Sequence, residues 1–191
     1  MSGMDLLRVY LLAGIVGHKI YWEVTKRRLP SPPKVRRSLI VRLVKAVKVG
    51  ILLAIVAQII IPWTVLPLSG DPAPARAAGA FLYTVGLAIA IIGRAQLGDS
   101  WSDIEAPGQV SKAVLISHGL YGYIRHPIYT GDILLLIGLE LSLNSQLLFA
   151  ILLMVPAILQ QAIREERLLV RDLPGYRDYC RRTKRFLPFI A

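Results

Sequence analysis

The sequence predicts an all-α, polytopic transmembrane helical bundle, and three observations carry that expectation. Of 191 residues, 54% are hydrophobic and 18% charged, an apolar content above the roughly 45–50% of ordinary soluble domains. Apolar windows of about 20 residues, the length a helix needs to cross a hydrocarbon core about 30 Å thick, recur along the chain. Lys and Arg gather in alternate loops, as cytoplasmic loops of membrane proteins require. The length allows one domain, 1–191. A formal net charge of +11 would suit nucleic acid or an anionic membrane surface. The hydrophobicity selects the membrane and leaves no role for nucleic acid.

The first span, about 4–22, holds Asp5, Arg8, His18 and Lys19 toward its ends and closes on Tyr21 and Trp22, which suit an interface belt. The second and third, about 47–66 and 77–97, carry Lys48 and Arg94 near one end, where long side chains snorkel. The stretch 127–163 would extend about 55 Å as one helix, too far for one crossing. It is therefore expected to fold back at Asn144 and Ser145 into two short spans, 128–143 and 146–163, forming a tight helical hairpin. Five spans with the amino terminus outside place the basic runs Lys26 to Lys45 and Arg164 to Arg185 on the cytoplasmic face. The stretch 98–126 and a C-terminal segment 164–191 fall there too. Most of these cations would set topology and meet anionic headgroups. Prolines crowd the stiff turn 29–33, and 70–74 reads as a short outer loop. Asp5 and Arg8 interrupt any signal-peptide layout.

Polar residues concentrate in 98–130 and 164–185, two stretches that flank the hairpin on one face and can meet in space. Pro127 is tolerated in the first turn of a helix, so Arg125 and His126 stand at a helix start, where backbone N–H groups and the dipole favour a carboxylate or phosphate. Alternatively Arg125 marks the membrane interface and His126 caps the helix. Glu165 and Glu166 point about 100° apart on a helix, so at most one faces a site inside the bundle. A buried carboxylate there would take a ligand ammonium or ribose hydroxyls; the competing reading is a surface salt-bridge run with Arg164 and Arg167. Glu140 is expected at the far interface, and Asp132, one turn inside Ile128, is the better site candidate of the two. No glycine-rich nucleotide loop, P-loop or nucleophile elbow is present in the sequence. His18, His118 and His126 lack metal-ligand spacing, and the single Cys180 excludes an internal disulfide and a multi-cysteine metal site.

These residues form an ordered set: Leu97-Gly98-Asp99-Ser100-Trp101-Ser102, Gly119-Leu120-Tyr121, Ile124-Arg125-His126-Pro127-Ile128-Tyr129-Thr130-Gly131, Glu165-Glu166-Arg167-Leu168-Leu169, Tyr176, Tyr179 and Arg185-Phe186-Leu187-Pro188. Over about residues 77 to 190 the set resembles the isoprenylcysteine carboxyl methyltransferase family, integral membrane enzymes similar to phospholipid N-methyltransferases. The resemblance implies a multi-pass membrane protein, of the prokaryotic inner-membrane or endoplasmic-reticulum kind. S-adenosylmethionine would bind at the cytoplasmic side, beside a tunnel for a lipophilic acceptor. It implies that Tyr121, His126 and Tyr129 line the cofactor site, with His126 on the methionyl carboxylate. Glu165 or Glu166 would face the cofactor's amino group or ribose. Arg125 and Glu166 would be the catalytic pair, and Arg185 would close the pocket or hold an anionic acceptor. The chain departs from the family pattern at Ala113, where many members carry His, and at Lys184, where glycine is frequent.

The implied reaction is methyl transfer to a prenylated-cysteine carboxylate or a similar isoprenoid thiol or acid. Such nucleophiles are already ionised, so the protein mainly aligns and desolvates the reactants. A phospholipid amine must first lose a proton, and Glu166 or Asp132 would then serve as base. A sterol-reductase-like NADPH oxidoreductase is the alternative enzyme, because Gly131-Asp132-Ile133 and Tyr179-Cys180 resemble that group. A membrane scaffold binding anionic lipid is the non-enzymatic one, and it would tolerate Arg125→Lys where a bidentate site would not.

Overall fold

The structure is a computed structural model that describes residues 2–27, 39–61, 66–68, 70–100 and 114–188. Within them run six α-helices: α1 (Gly3–Arg27), α2 (Leu39–Ile60), α3 (Ala73–Leu97), α4 (Pro127–Ser142), α5 (Leu147–Asp172) and α6 (Tyr176–Arg182). A one-turn 3-10 helix, Gly119–Gly122, precedes α4. The turn expected at 29–33, most of the first basic run, Trp101, Ser102 and Ala113 lie outside the described residues.

Among the described residues α3 and α5 are long and apolar enough to cross a membrane, and the apolar part of α2, Val49–Ile60, is a shorter stretch. The helix within the second expected span runs 39–60 rather than 47–66. Hydropathy marks the apolar stretch, whereas Arg and Lys propagate a helix well, so the helix begins before the apolar residues do. It ends at Ile60 because Ile61 precedes Pro62, and a residue before proline disfavours the α conformation. α5 runs nine residues past the end of the fifth expected span, from 163 to 172. Its charged continuation from Arg164 onward lies outside the apolar, membrane-spanning part. On that part Phe149 and Leu153 are exposed, as a lipid-facing surface requires.

The densest packing joins α3 to α4, antiparallel, rather than α4 to α5. A Cβ placed on Gly86 would come within 2.3 Å of the Leu135 backbone nitrogen, and one on Gly138 within 2.2 Å of the Tyr83 nitrogen. Gly79, Gly86 and Gly93 recur every seventh residue on α3, as Gly131 and Gly138 do on α4, so one glycine stripe faces the other along the seam. Backbones approach this closely only where both sides lack side chains. A core of Leu11, Ile15, Ile59, Tyr83, Leu135, Leu139 and Leu143 ties α1 and α2 to the pair. The fully buried Tyr83 donates its hydroxyl to the Leu11 carbonyl at 2.6 Å, fastening α1 to α3.

The break at Asn144 and Ser145 is present. Asn144 adopts φ 55°, a left-handed conformation that Asn tolerates, and α5 begins at Leu147. Glu140 does not reach the protein surface, as an interfacial carboxylate would: it is 1% exposed. Gln58 donates Nε2 to its Oε2 at 2.8 Å and to Ser145 Oγ at 3.0 Å. The correction has a plain cause, since a buried carboxyl needs a donor and Gln58 lies 82 residues away in sequence. Gln58→Leu removes that donor and is expected to destabilise the detergent-solubilised protein by about 1–3 kcal/mol. Thermal unfolding checks this, and ligand binding at the other end of α4 should be unchanged.

Candidate active site

The N-terminal end of α4 is built by a short parallel pairing between 123–126 and the chain just after α6. The Arg125 amide donates to the Lys184 carbonyl at 2.8 Å, His126 to Arg185 at 3.0 Å, and Lys184 to Tyr123 at 3.1 Å. Thr130 donates its hydroxyl to the Phe186 carbonyl at 3.0 Å. The buried Tyr179 donates its own to the Tyr121 carbonyl at 2.7 Å. The C-terminal segment is thus strapped across the start of α4. His126 occupies the N-cap position of α4 but makes no side-chain capping bond, which leaves its ring free to face α5.

Glu166 is what it faces. The Arg125 Nε donates to Glu166 Oε1 at 2.8 Å, His126 Nε2 lies 3.1 Å from the same oxygen, and Arg185 donates to Oε2 at 2.8 Å and to Oε1 at 3.1 Å. Arg125 also donates Nη1 to the Cys180 carbonyl at 3.1 Å and to the Thr183 carbonyl, so three of its five N–H donors are engaged in these bonds. Burial alone would raise Glu166, but the donors on His126, Arg185 and Arg125 outweigh it and hold the carboxyl well below the usual carboxylate range. Glu166 therefore stays ionised at neutral pH.

Glu165 turns the other way and accepts the Tyr129 hydroxyl at 3.1 Å. Burial pushes its carboxyl up, opposed by the nearby His126 and the Tyr129 bond. Burial likewise raises the Tyr121 hydroxyl, as do the nearby Tyr179 and Glu165. Tyr129, His126 and Phe186 form a stack, with centroids 5.4 Å apart for the first two and 5.6 Å for the second pair.

The structure thus brings Arg125, His126, Glu166 and Arg185 into one cluster, with Tyr129 and Glu165 on its flank and Tyr121 beside them. The surface salt-bridge reading of Glu166 is overturned, because its side chain is 10% exposed and bound on three sides. Arg185 donates to both oxygens of Glu166. Asp132 lies apart from the cluster, near His18, and Glu140 is at the opposite end of α4. Sequence reading gave no role to Thr183, which meets Arg125 through its backbone carbonyl and so leaves no residue signature, nor to Thr130 and Phe186, which it quoted only as motif members and which act through a hydroxyl, a ring and a carbonyl.

Fold and site together define a helical membrane protein whose polar chemistry is collected at one end of its bundle. The chain belongs to the phospholipid methyltransferase family, whose sequence profile matches residues 74–173, more than half of it. It is similar to the nickel-cobalt-cadmium resistance protein NccN of Alcaligenes xylosoxydans xylosoxydans, 33% identical over 59% of this chain and 52% of that one. The cobalt-zinc-cadmium resistance protein CzcN of Cupriavidus metallidurans is 30% identical over 56% of this chain and 48% of its own. The protein-S-isoprenylcysteine O-methyltransferase of Schizosaccharomyces pombe is 31% identical over 50% and 42%. The chain therefore spans about half the length of the curated relatives it matches. The solved eukaryotic intramembrane Ras methyltransferase ICMT aligns with a TM-score of 0.45 at 28% identity, covering 61% of this chain and 46% of that one.

Proposed function

We propose that the chain transfers a methyl group from S-adenosylmethionine to the polar end of a lipidic acceptor. In this reading it crosses the membrane five times and the Glu166 cluster lies on the cytoplasmic face. The observation that carries it is the cluster itself, in a member of a methyltransferase family. Three cationic or imidazole groups, on Arg125, His126 and Arg185, already hold one carboxylate, that of Glu166, so they have the chemistry to hold another. Glu165 carries a second acidic group for an ammonium, and the rings of Tyr129, His126 and Phe186 give a flat apolar surface for a heteroaromatic base. These residues fit a ligand bearing a carboxylate, an ammonium and a nucleobase.

When bound, such a donor would supply a methyl group on a sulfonium, whose sulfur would keep the electron pair of the carbon–sulfur bond. The chain's own part is to orient and to exclude water. His126 and Arg185 would hold the donor carboxylate alongside that of Glu166, while Arg125, pinned by two carbonyls, keeps the α4 start and the strap in register. The fission-yeast relative supports a prenylated-cysteine carboxylate as acceptor, and the family profile supports a phospholipid.

Calorimetry of the detergent-purified protein with S-adenosylhomocysteine tests the reading. The wild type is expected to bind, and His126→Ala, by leaving Glu166 without one partner and removing the stacked ring, is expected to weaken binding by at least about tenfold, roughly 1.4 kcal/mol. A folded wild type that binds neither the donor nor its product refutes it.

A further inference from the structure

The seam between α3 and α4 continues beyond the paired helices. Gly93 meets Pro127 and Ile128 at the start of α4, and Gln96, three residues on and so on the same face of α3, reaches the 3-10 turn Gly119–Gly122. The Leu120 amide donates to Gln96 Oε1 at 2.9 Å. Amides in the first turn of a helix have no partner within it, and the residue before them usually supplies one from its side chain. His118 holds that place in an extended conformation, φ −116° and ψ 169°, and supplies none. Gln96, 24 residues earlier in the chain, caps the turn instead.

Gly119 suits this contact on two counts. Its φ of 61° is left-handed, and a Cβ there would come within 2.5 Å of Gln96 Cδ and 2.6 Å of its Oε1, so the amide lies flat against the glycine. A Cβ on Gly122, in the same turn, would meet only the Ser117 carbonyl oxygen, at 3.5 Å. Among the described residues two side-chain hydrogen bonds fasten the turn to the rest of the protein: this one from α3, and the Tyr179 hydroxyl of α6 on the Tyr121 carbonyl. A single helical turn has no stability of its own, so these fastenings decide where it lies. The buried Tyr121 sits between them with Glu165 nearby. α6 belongs with the C-terminal strap, and Gln96 is therefore what refers Tyr121 to the close-packed α3–α4 seam.

Resting on the methyl-transfer reading above, we infer that Gln96 is a positioning residue for the donor site, its amide oxygen holding the Leu120 amide so that Tyr121 stands against Glu165. The side chain touches no reacting group and acts through the turn. The contact asks of residue 96 an acceptor oxygen at the end of a chain of this length. A carboxylate meets that need and an alkyl group does not, which would leave the Leu120 amide without a partner.

The test is calorimetry of the detergent-solubilised full chain with S-adenosylhomocysteine. Gln96→Leu should weaken binding by about tenfold, a change of roughly 1.4 kcal/mol, whereas Gln96→Glu should stay within about twofold of the wild type because it keeps the acceptor. Gly119→Ala, which pushes the amide off the turn, should weaken binding at least as much as Gln96→Leu, and Gly122→Ala should leave it within about twofold. In a Tyr121→Ala background, where the His126 and Arg185 contacts remain, Gln96→Leu should cost less than about twofold further, since the ring it positions is gone. Wild-type affinity in folded Gln96→Leu overturns the assignment, as does equal weakening by Gln96→Leu and Gln96→Glu. So does a full tenfold loss repeated in the Tyr121→Ala background, the mark of a fastening that does not act through Tyr121. Failure of the wild type itself to bind S-adenosylhomocysteine overturns the methyl-transfer reading and with it the role of Gln96.

Discussion

Removing the carboxylate of Glu166 is expected to cost more than any other single charge change in this protein. In Glu166→Ala the groups of Arg125, His126 and Arg185 lose their shared anion, and two of those side chains, at 9% and 6% exposure, have little water to replace it. Breaking a buried ion pair from one side costs about 3–5 kcal/mol. Arg185, about one-third exposed, recovers part of its hydration and tempers the sum. The strap from 183 to 188 is anchored through the same groups, so donor binding should be lost with stability. A double substitution with Arg185→Ala should be less destabilised than the two single changes added together, because each alone already breaks the contact. Thermal midpoints in detergent read all three; a loss below about 1 kcal/mol for Glu166→Ala would mean the cluster is held by the backbone pairing alone.

The sign of the pH dependence follows. Glu166 has a folded-state carboxyl well below its ordinary value, so its contribution is fully present above the unfolded carboxylate value of about 4.3 and is lost as pH falls below it. Between pH 8 and 5 the Glu166 contribution should therefore not change, whereas Glu166→Gln should remove the acid-induced loss that the wild type shows under stronger acid.

How much of this was legible in the sequence depended on whether a signal was local. Arg125-His126-Pro127 could be placed at a helix start from proline chemistry alone, and the structure puts α4 there. The adjacency of Glu165 and Glu166 showed that the two must diverge but not which turns inward; that is decided by the strap, whose Arg185 approaches from the Glu166 side. The burial of Glu140 was not legible because its partner Gln58 sits on α2, and nothing near either residue announces the pairing. Asn144 and Ser145 marked the end of α4, yet the dominant partner of α4 proved to be α3. The seven-residue recurrence of glycine on both helices carried that information. An apolar-window reading discards it, since glycine there counts only as weakly hydrophobic.

That seam gives the second large effect. At an unhindered helical glycine, alanine is favourable: Gly17 of α1 has nothing within 4 Å of an added Cβ, so Gly17→Ala should stabilise by about 0.5–1 kcal/mol. Gly86→Ala gains the same propensity and should nevertheless destabilise. Its Cβ would lie 2.3 Å from the Leu135 nitrogen, 2.7 Å from the Gly131 carbonyl oxygen and 2.9 Å from the Leu134 carbonyl carbon. All three are backbone, so no rotamer can relieve the clash and the helices themselves must part. Overpacking a core typically costs about 1–3 kcal/mol. A rigid backbone wall puts Gly86→Ala at or above the top of that range. Gly93→Ala meets only the Ile128 and Pro127 side chains at 3.3 Å and should fall between the other two. The consequence reaches the site because α4 carries His126 and Tyr129 at its N-terminal end while Glu165 and Glu166 ride on α5. Pushing α4 off α3 moves one half of the cluster relative to the other, so Gly86→Ala should weaken S-adenosylhomocysteine binding although Gly86 lies well away from the cluster along α3. Thermal unfolding and calorimetry on the three variants give the order; Gly86→Ala as stable as Gly17→Ala would mean the close approach of α3 and α4 is not what positions α4.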